Sequence, residues 1–210
     1  MFSKDNIRAI AEMVQGKNIY ILADEIYDRI IFGEQPLSIA SLPGMKDKTI
    51  ILDGFSKTYA MTGWRLGYGV MSKELAQHMT MLQVNSNSCA AVPTQWAGIE
   101  ALKGPQDAAK EMTAAFKERR DYLVDALNNI SGIHCAMPEG AFYVFPNISS
   151  FGIPDKEFAN RLLEEAGVAA AWGTAFGSFG EGFLRISYAN SLQNLKIAVD
   201  RIAAFCRSLG

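Results

Sequence analysis

One lysine in this chain keeps company that could hold a phosphorylated aldehyde. In Asp53-Gly54-Phe55-Ser56-Lys57-Thr58-Tyr59-Ala60-Met61-Thr62-Gly63-Trp64-Arg65-Leu66-Gly67-Tyr68, Lys57 follows a serine directly and precedes Arg65 by eight residues. An amine condenses with an aldehyde to a Schiff base, and a hydroxyl beside a guanidinium fork suits a phosphate. Upstream, the run Tyr20-Ile21-Leu22-Ala23 ends in Asp24, and Tyr27 follows three positions later. Ligands of open α/β sheets bind beyond the carboxyl ends of strands. Asp24 stands at one such end, and Lys57 follows another apolar run, Thr49-Ile50-Ile51-Leu52. A lone lysine is ordinarily a solvated surface group; the acidic strand end upstream sets Lys57 apart.

These residues need a scaffold, and the apolar spacing supplies one. Lys4 to Gln15 predicts an amphipathic helix with Ile7, Ile10, Ala11 and Val14 on one side. Asn18 to Ala23 and Thr49 to Asp53 predict buried strands, with loops at Pro36 and Pro43-Gly44 between them. Trp64 to Met71 predicts a third strand, and Ser72 caps a following helix. Strands alternating with helices imply a parallel or mixed sheet covered by helices. Thr94 to Leu102 and Pro105 to Asn128 read as helices. The second carries Lys110, Glu111, Lys117, Glu118, Arg119 and Arg120, which reads as a solvated face. Beyond it the pattern predicts strands at Ile133 to Met137, Phe142 to Phe145, Val168 to Ala171 and Phe183 to Tyr188. Helices are expected at Asp155 to Ala166 and Leu192 to Leu209. The expected division is residues 1–115 and 116–210, the second a small α+β domain.

Composition narrows the class. The 210 residues are 49% hydrophobic, enough for a sizeable core, and carry a net charge of -2. No concentrated basic face points to nucleic acid, and no apolar stretch is long enough for a membrane span. Met1-Phe2-Ser3-Lys4-Asp5 lacks the basic-then-apolar layout of a secretory signal. Cys89, Cys135 and Cys206 are odd in number, far apart and form no metal-type pair. Reduced thiols in a cytoplasmic protein, with no metal, are the expectation.

With these residues assembled, the chain resembles the class I, fold-type I pyridoxal-phosphate-dependent aminotransferases, and within them the bacterial aspartate aminotransferase branch. Five pieces in order carry the likeness: Asp24-Glu25-Ile26-Tyr27; Ser38-Ile39-Ala40-Ser41-Leu42-Pro43-Gly44; Phe55 through Tyr68; Gly140-Ala141-Phe142-Tyr143-Val144-Phe145-Pro146; and Leu184-Arg185-Ile186-Ser187-Tyr188-Ala189. The resemblance implies an α/β fold. Its first part would be the C-terminal portion of the cofactor-binding large domain, with a mixed, mostly parallel sheet, followed by the small C-terminal domain. It implies pyridoxal phosphate as cofactor, an amino acid and a 2-oxo acid as substrates, and a homodimer or other self-association.

Roles follow by the same resemblance. Lys57 would hold the cofactor as a Schiff base and shuttle the substrate α-proton once released. Asp24 would pair with the pyridine nitrogen and keep the ring cationic, so that it draws electrons. Tyr27 would hydrogen-bond the ring's 3-oxygen. Ser56 and Arg65 would bind the phosphate, and Arg185 would clamp the substrate carboxylate through its planar fork. Trp64 reads as core packing.

Two positions depart from the family pattern. Gly54 stands where many relatives carry a second phosphate-binding serine, and Trp172 precedes Gly173 where relatives have proline. Trp172 is read either as altering the substrate mouth or as filling a gap. Family members run to nearly twice this length. The segments that supply a phosphate-binding helix N-terminus, a ring-stacking aromatic, an Asn-Pro-Thr-Gly asparagine and the acidic side-chain selector have no counterpart here. The leading expectation is an aminotransferase polypeptide represented by its C-terminal half. The alternatives are a catalytically inactive remnant that self-associates or binds a partner, and a carbon–sulfur β-lyase on the same fold. An aminotransferase-like regulator is disfavoured because no basic helix-turn-helix is present.

Overall fold

In the computed structural model, which describes residues 2–209, Ser3 closes the first helix with a reciprocal cap. Its hydroxyl accepts from the Asn6 N–H while the Asn6 side chain accepts from the Ser3 N–H, satisfying two otherwise orphaned donors. The helix, α1 (Lys4–Val14), buries Ala11 and Val14 against Ile39 and Met45. Ile21 and Ala23 pack onto the same cluster from the first strand.

The chain divides into two compact units, Met1–Thr113 and Ala114–Gly210. The first holds three strands, β1 (Ile21–Asp24), β2 (Thr49–Gly54) and β3 (Gly67–Val70), in that spatial order. β1 and β2 are parallel, joined by a crossover through residues 25–48; β2 and β3 are antiparallel. The sheet is therefore mixed, with one pairing of each kind rather than mostly parallel. Three helices follow: α2 (Lys73–Ser86), α3 (Val92–Lys103) and α4 (Asp107–Asn128), the last running on into the second unit.

One face of this sheet is bare. Alternation along β1 turns Ile21 and Ala23 to the α1 cluster and leaves Leu22 64% exposed. Leu52 is exposed on the same face, while Val70 of the outer strand, paired with Ile51, is exposed on the other, so the expected burial of these strands holds in part. No residue of α2 is buried, although its sequence includes Met79, Met81, Leu82 and Val84. Trp64 is also exposed rather than packed in a core. It lies in a 3-10 turn, Thr62–Trp64, that delays the start of β3 to Gly67.

The second unit pairs three short strands, β4 (Tyr143–Val144), β5 (Ala171–Trp172) and β6 (Leu184–Ser187), in the order β4-β6-β5 and all antiparallel. Against them lie α5 (Asp155–Ala166) and α6 (Leu192–Ser208). Leu123 and Leu127 of α4 join Val144, Phe158, Leu162, Leu184, Tyr188 and Ile202 in a dry core. Arg120 departs from the solvated face expected of α4. It is buried, its guanidinium forks onto Asp121 at 2.8 and 2.6 Å, and it donates to the Pro138 carbonyl at 2.9 Å.

Most of the expected strands are shorter than their apolar runs, and two depart furthest. Within Ile133 to Met137 there is a single bridge, from His134 to Asn147. The Asn128 amide takes both backbone groups of Cys135, at 2.8 and 2.9 Å, so no ladder can use them. After α5, Gly167 is left-handed at φ 67° and the Val168 N–H turns back to Leu162. The chain straightens only at Ala171.

Candidate active site

The loop between β2 and β3 presents the lysine. β2 ends at Gly54, and the backbone then turns through Phe55 to Tyr59, with the Tyr59 and Met61 N–H groups both bonding the Phe55 carbonyl. Phe55 is buried and anchors the turn against Tyr59 and Tyr68, with ring centroids 5.7 and 5.9 Å away. Ala60 and Arg65 both sit in the left-handed region at φ 54°. Such conformations cost side-chain-bearing residues roughly 1–2 kcal/mol and persist where the surroundings over-determine them. Here they bend the chain so that Ser56, Lys57 and Arg65 face one hollow.

That hollow has a volume of about 600 Å³ and is lined by Asp24, Tyr27, Ser56, Lys57 and Arg65. All five residues singled out in the first half of the sequence thus meet in one cavity. Asp24 Oδ1 accepts the Ile26 N–H at 3.2 Å, which fixes the carboxylate at the end of β1. Lys57 Nζ lies 5.7 Å from the centroid of the Tyr27 ring. The Arg65 guanidinium is steadied by an Nη1 donation to the Thr62 carbonyl at 2.8 Å and is otherwise exposed. Asp53 and Thr62 share the lining and were not singled out in advance; their signal was only adjacency to Lys57 and Arg65.

Behind this loop lies an acidic and phenolic knot. The Tyr68 hydroxyl donates to Asp53 Oδ2 at 2.6 Å, while Asp53 Oδ1 accepts the Gly54 N–H at 2.6 Å. Burial, then the carboxylate it serves, hold the Tyr68 hydroxyl well above its ordinary range, so it stays a donor. Burial and the charge of Asp53 push the Asp28 carboxyl upward too. Arg29 donates to the Tyr59 hydroxyl at 2.7 Å and to Gln106 at 3.2 Å, tying down the far side of the lysine loop.

Gly54 has a steric reason. A Cβ there would meet the Gly67 Cα at 2.9 Å and the Leu66 carbonyl at 3.0 Å. A serine at this position would crowd the rung where β2 and β3 approach.

Arg185 belongs to the second unit. It sits on β6 opposite Ala171 of β5 and is half-buried rather than fully enclosed. Its guanidinium lies between two rings, with Cζ 4.7 Å from the Tyr143 centroid and 4.2 Å from the Phe176 centroid. Among the described residues it makes no ion pair. Trp172, next on β5, stacks beneath Lys156, whose Nζ is 5.5 Å from its ring. The remaining chemistry is quiet. Cys135 and Cys206 are buried, with thiols pushed up to about 11, and Cys89 is exposed; all three are free. Among the described residues no group of His, Cys, Asp or Glu is placed to hold a metal. Among the described residues no helix is long and apolar enough to cross a membrane.

The first unit thus gathers a lysine, a carboxylate, a phenol, a hydroxyl and a guanidinium around one cavity, and the second carries Arg185. The family model for aminotransferase class I and II matches residues 1–202, and the chain belongs to that family. It is 43% identical over 201 residues to an aspartate aminotransferase of Pyrococcus horikoshii, covering 95% of this chain and 51% of that protein. It is 38% identical over 205 residues to aromatic-amino-acid aminotransferase 2 of Thermococcus litoralis, covering 96% and 52%. The crystal structure of an aromatic aminotransferase from Pyrococcus horikoshii superposes with a TM-score of 0.95 at 37% identity, over 100% of this chain and 57% of that one. The chain spans about half the length of the curated relatives it matches.

Proposed function

We propose that this chain carries the lysine-bearing cofactor site and the carboxylate clamp of a pyridoxal-phosphate-dependent aminotransferase that moves an amino group between an amino acid and a 2-oxo acid. The observation that carries this reading is the convergence of Asp24, Tyr27, Ser56, Lys57 and Arg65 on one cavity. The donor set fits the cofactor group by group. Asp24 offers a carboxylate to a protonated ring nitrogen, and Tyr27 a hydroxyl to the ring oxygen. Ser56 and Arg65 offer a hydroxyl and a cationic fork to the phosphate, and Lys57 an amine to the aldehyde.

When bound, pyridoxal phosphate supplies an electron-accepting ring. The protein does the rest. Asp24 would set its carboxylate against the ring nitrogen at the end of β1. Lys57 would accept the proton from the substrate α-carbon and return one on the far side of the transfer. Arg185 holds the substrate carboxylate, which orients the bond to be broken. Aspartate is the reading for the amino donor, because an aspartate aminotransferase is among the relatives. The three free cysteines accord with a reducing, cytoplasmic setting. The bare apolar face of the first sheet and α2 accords with association with a second copy.

The test is transfer of isotopically labelled nitrogen from aspartate to 2-oxoglutarate with added pyridoxal phosphate. Label in a new amino acid, lost in Lys57→Ala, supports the reading. Release of pyruvate and ammonia from a cysteine conjugate instead would assign the lyase chemistry. No turnover together with no cofactor uptake would assign an inert remnant.

A further inference from the structure

The setting of Arg185 carries more than a carboxylate contact. Its guanidinium has aromatic faces on two sides, Tyr143 from β4 and Phe176 from the 3-10 turn Gly173–Phe176. Both distances are inside the range where a ring quadrupole attracts a cation. Phe176 is 51% exposed, so burial does not hold its ring in place. What holds it is the turn. The buried Asp155 carboxylate accepts both the Thr174 N–H, at 2.7 Å, and the Thr174 hydroxyl, at 2.8 Å. At the other side, Gly173 and Gly180 pack backbone to backbone so tightly that a Cβ on either would fall 2.0 Å from the other's carbonyl oxygen. Gly173 also donates to the Phe183 carbonyl at 2.8 Å. The Phe176 ring in turn meets Phe145 edge-on at 6.4 Å, and Phe145 stacks on Phe183 at 5.1 Å.

We infer that Tyr143 and Phe176 are positioning residues that form an aromatic slot for Arg185, and that the Asp155–Thr174 clamp sets the Phe176 side of that slot. The inference rests on the reading of Arg185 as a carboxylate clamp. A guanidinium bonds a carboxylate through the N–H edges of its plane, and rings above and below the plane leave those edges clear. The same rings stop a long, flexible side chain from sampling other rotamers, so less freedom is lost when the carboxylate arrives. They also stabilise the charge without a counter-carboxylate, which would compete with the ligand for the same donors.

The test is a titration of the whole 210-residue chain with propionate, followed by the Arg185 Nε–Hε resonance and assigned with Arg185→Lys; propionamide is the neutral control. A saturable shift at Arg185 with propionate alone is expected. Phe176→Leu and Tyr143→Leu keep apolar bulk but lose the ring, and each should weaken propionate binding by about three- to tenfold. Phe176→Tyr should restore it, which loss of mere packing would not predict. Thr174→Val should weaken binding in the same direction as Phe176→Leu. Binding at Arg185 that is unchanged in Phe176→Leu and Tyr143→Leu overturns the slot while leaving the clamp. No response of Arg185 to propionate in the unaltered chain overturns the clamp itself, and the slot with it.

Discussion

Gly54 and Gly67 face each other across the β2–β3 ladder so closely that a Cβ on Gly54 would lie 2.9 Å from the Gly67 Cα. The contact sits three residues before Lys57 and two after Arg65, at the closed end of the loop that carries both. The glycine at this position is thus the one that lets the two strands meet at the base of the loop. Gly54→Ser should therefore destabilise the chain, by about 1–3 kcal/mol as for other overpacked sites, and should not tighten phosphate binding. Urea unfolding and phosphate titration of the variant check both halves. A serine that improved phosphate affinity at unchanged stability would contradict the steric reading.

Asp28 makes a second case in the same unit. Burial first, and the Asp53 charge next, hold its carboxyl above the ordinary value of 3.8. A raised carboxyl means that the folded chain binds this proton more tightly than the unfolded chain. Ionised Asp28 is then a burden at neutral pH, and the burden fades as pH falls through the raised folded value toward the unfolded one. Asp28→Asn should raise the urea midpoint at pH 7 and make little difference near pH 4. An equal gain at both pH values would assign the effect to something other than the charge.

Asp155 has the opposite sign. Burial alone would raise its carboxyl, but hydrogen bonds from the Thr174 N–H and hydroxyl outweigh this and lower it below 3.8. A lowered carboxyl contributes stability that is fully present above the unfolded value and is lost as pH falls through the folded one. Asp155→Ala should cost the second unit about 1–3 kcal/mol at pH 7, because it removes a buried, ionised acceptor from the Thr174 N–H and hydroxyl. Hydrogen exchange at the Thr174 amide reads this locally, and the difference from the parent should shrink under strongly acid conditions.

The bare sheet face predicts association. Leu22 and Leu52 are exposed on that face, and Met81 and Leu82 of α2 are exposed on the same unit. Light scattering across a wide concentration range should show dimers or larger species, and Leu22→Lys with Leu82→Lys should shift the chain toward monomer. A monodisperse monomer at every concentration would refute the reading.

Much of this was legible from residue types alone. α5 spans the residues expected of it, and the structure places Pro154 and Gly167 at its two caps. The acid, phenol, hydroxyl and amine of the cavity were legible because they fall at or just past the ends of β1 and β2, where a ligand must bind; the guanidinium of Arg65 was legible from its spacing to Lys57. What stayed hidden depended on partners distant in sequence. Ile133 to Met137 has a strand's composition, but the Asn128 side chain captures the Cys135 backbone first. The exposure of Leu22 and Trp64 could not be read from their neighbours, since apolar patterning marks a face and not what covers it. Phe176 carried no signal at all, because its role is set by a clamp from Asp155 on another element.

The most direct measurement is an absorbance titration of the purified chain with pyridoxal phosphate, run beside Lys57→Ala and closed with borohydride reduction and peptide mapping. A visible band in the parent, absent in Lys57→Ala, with the reduced cofactor fixed on the Lys57 peptide, is the predicted result. A band that persists in Lys57→Ala, or a label mapped to another lysine, would contradict the assignment of Lys57 as the residue that holds the cofactor.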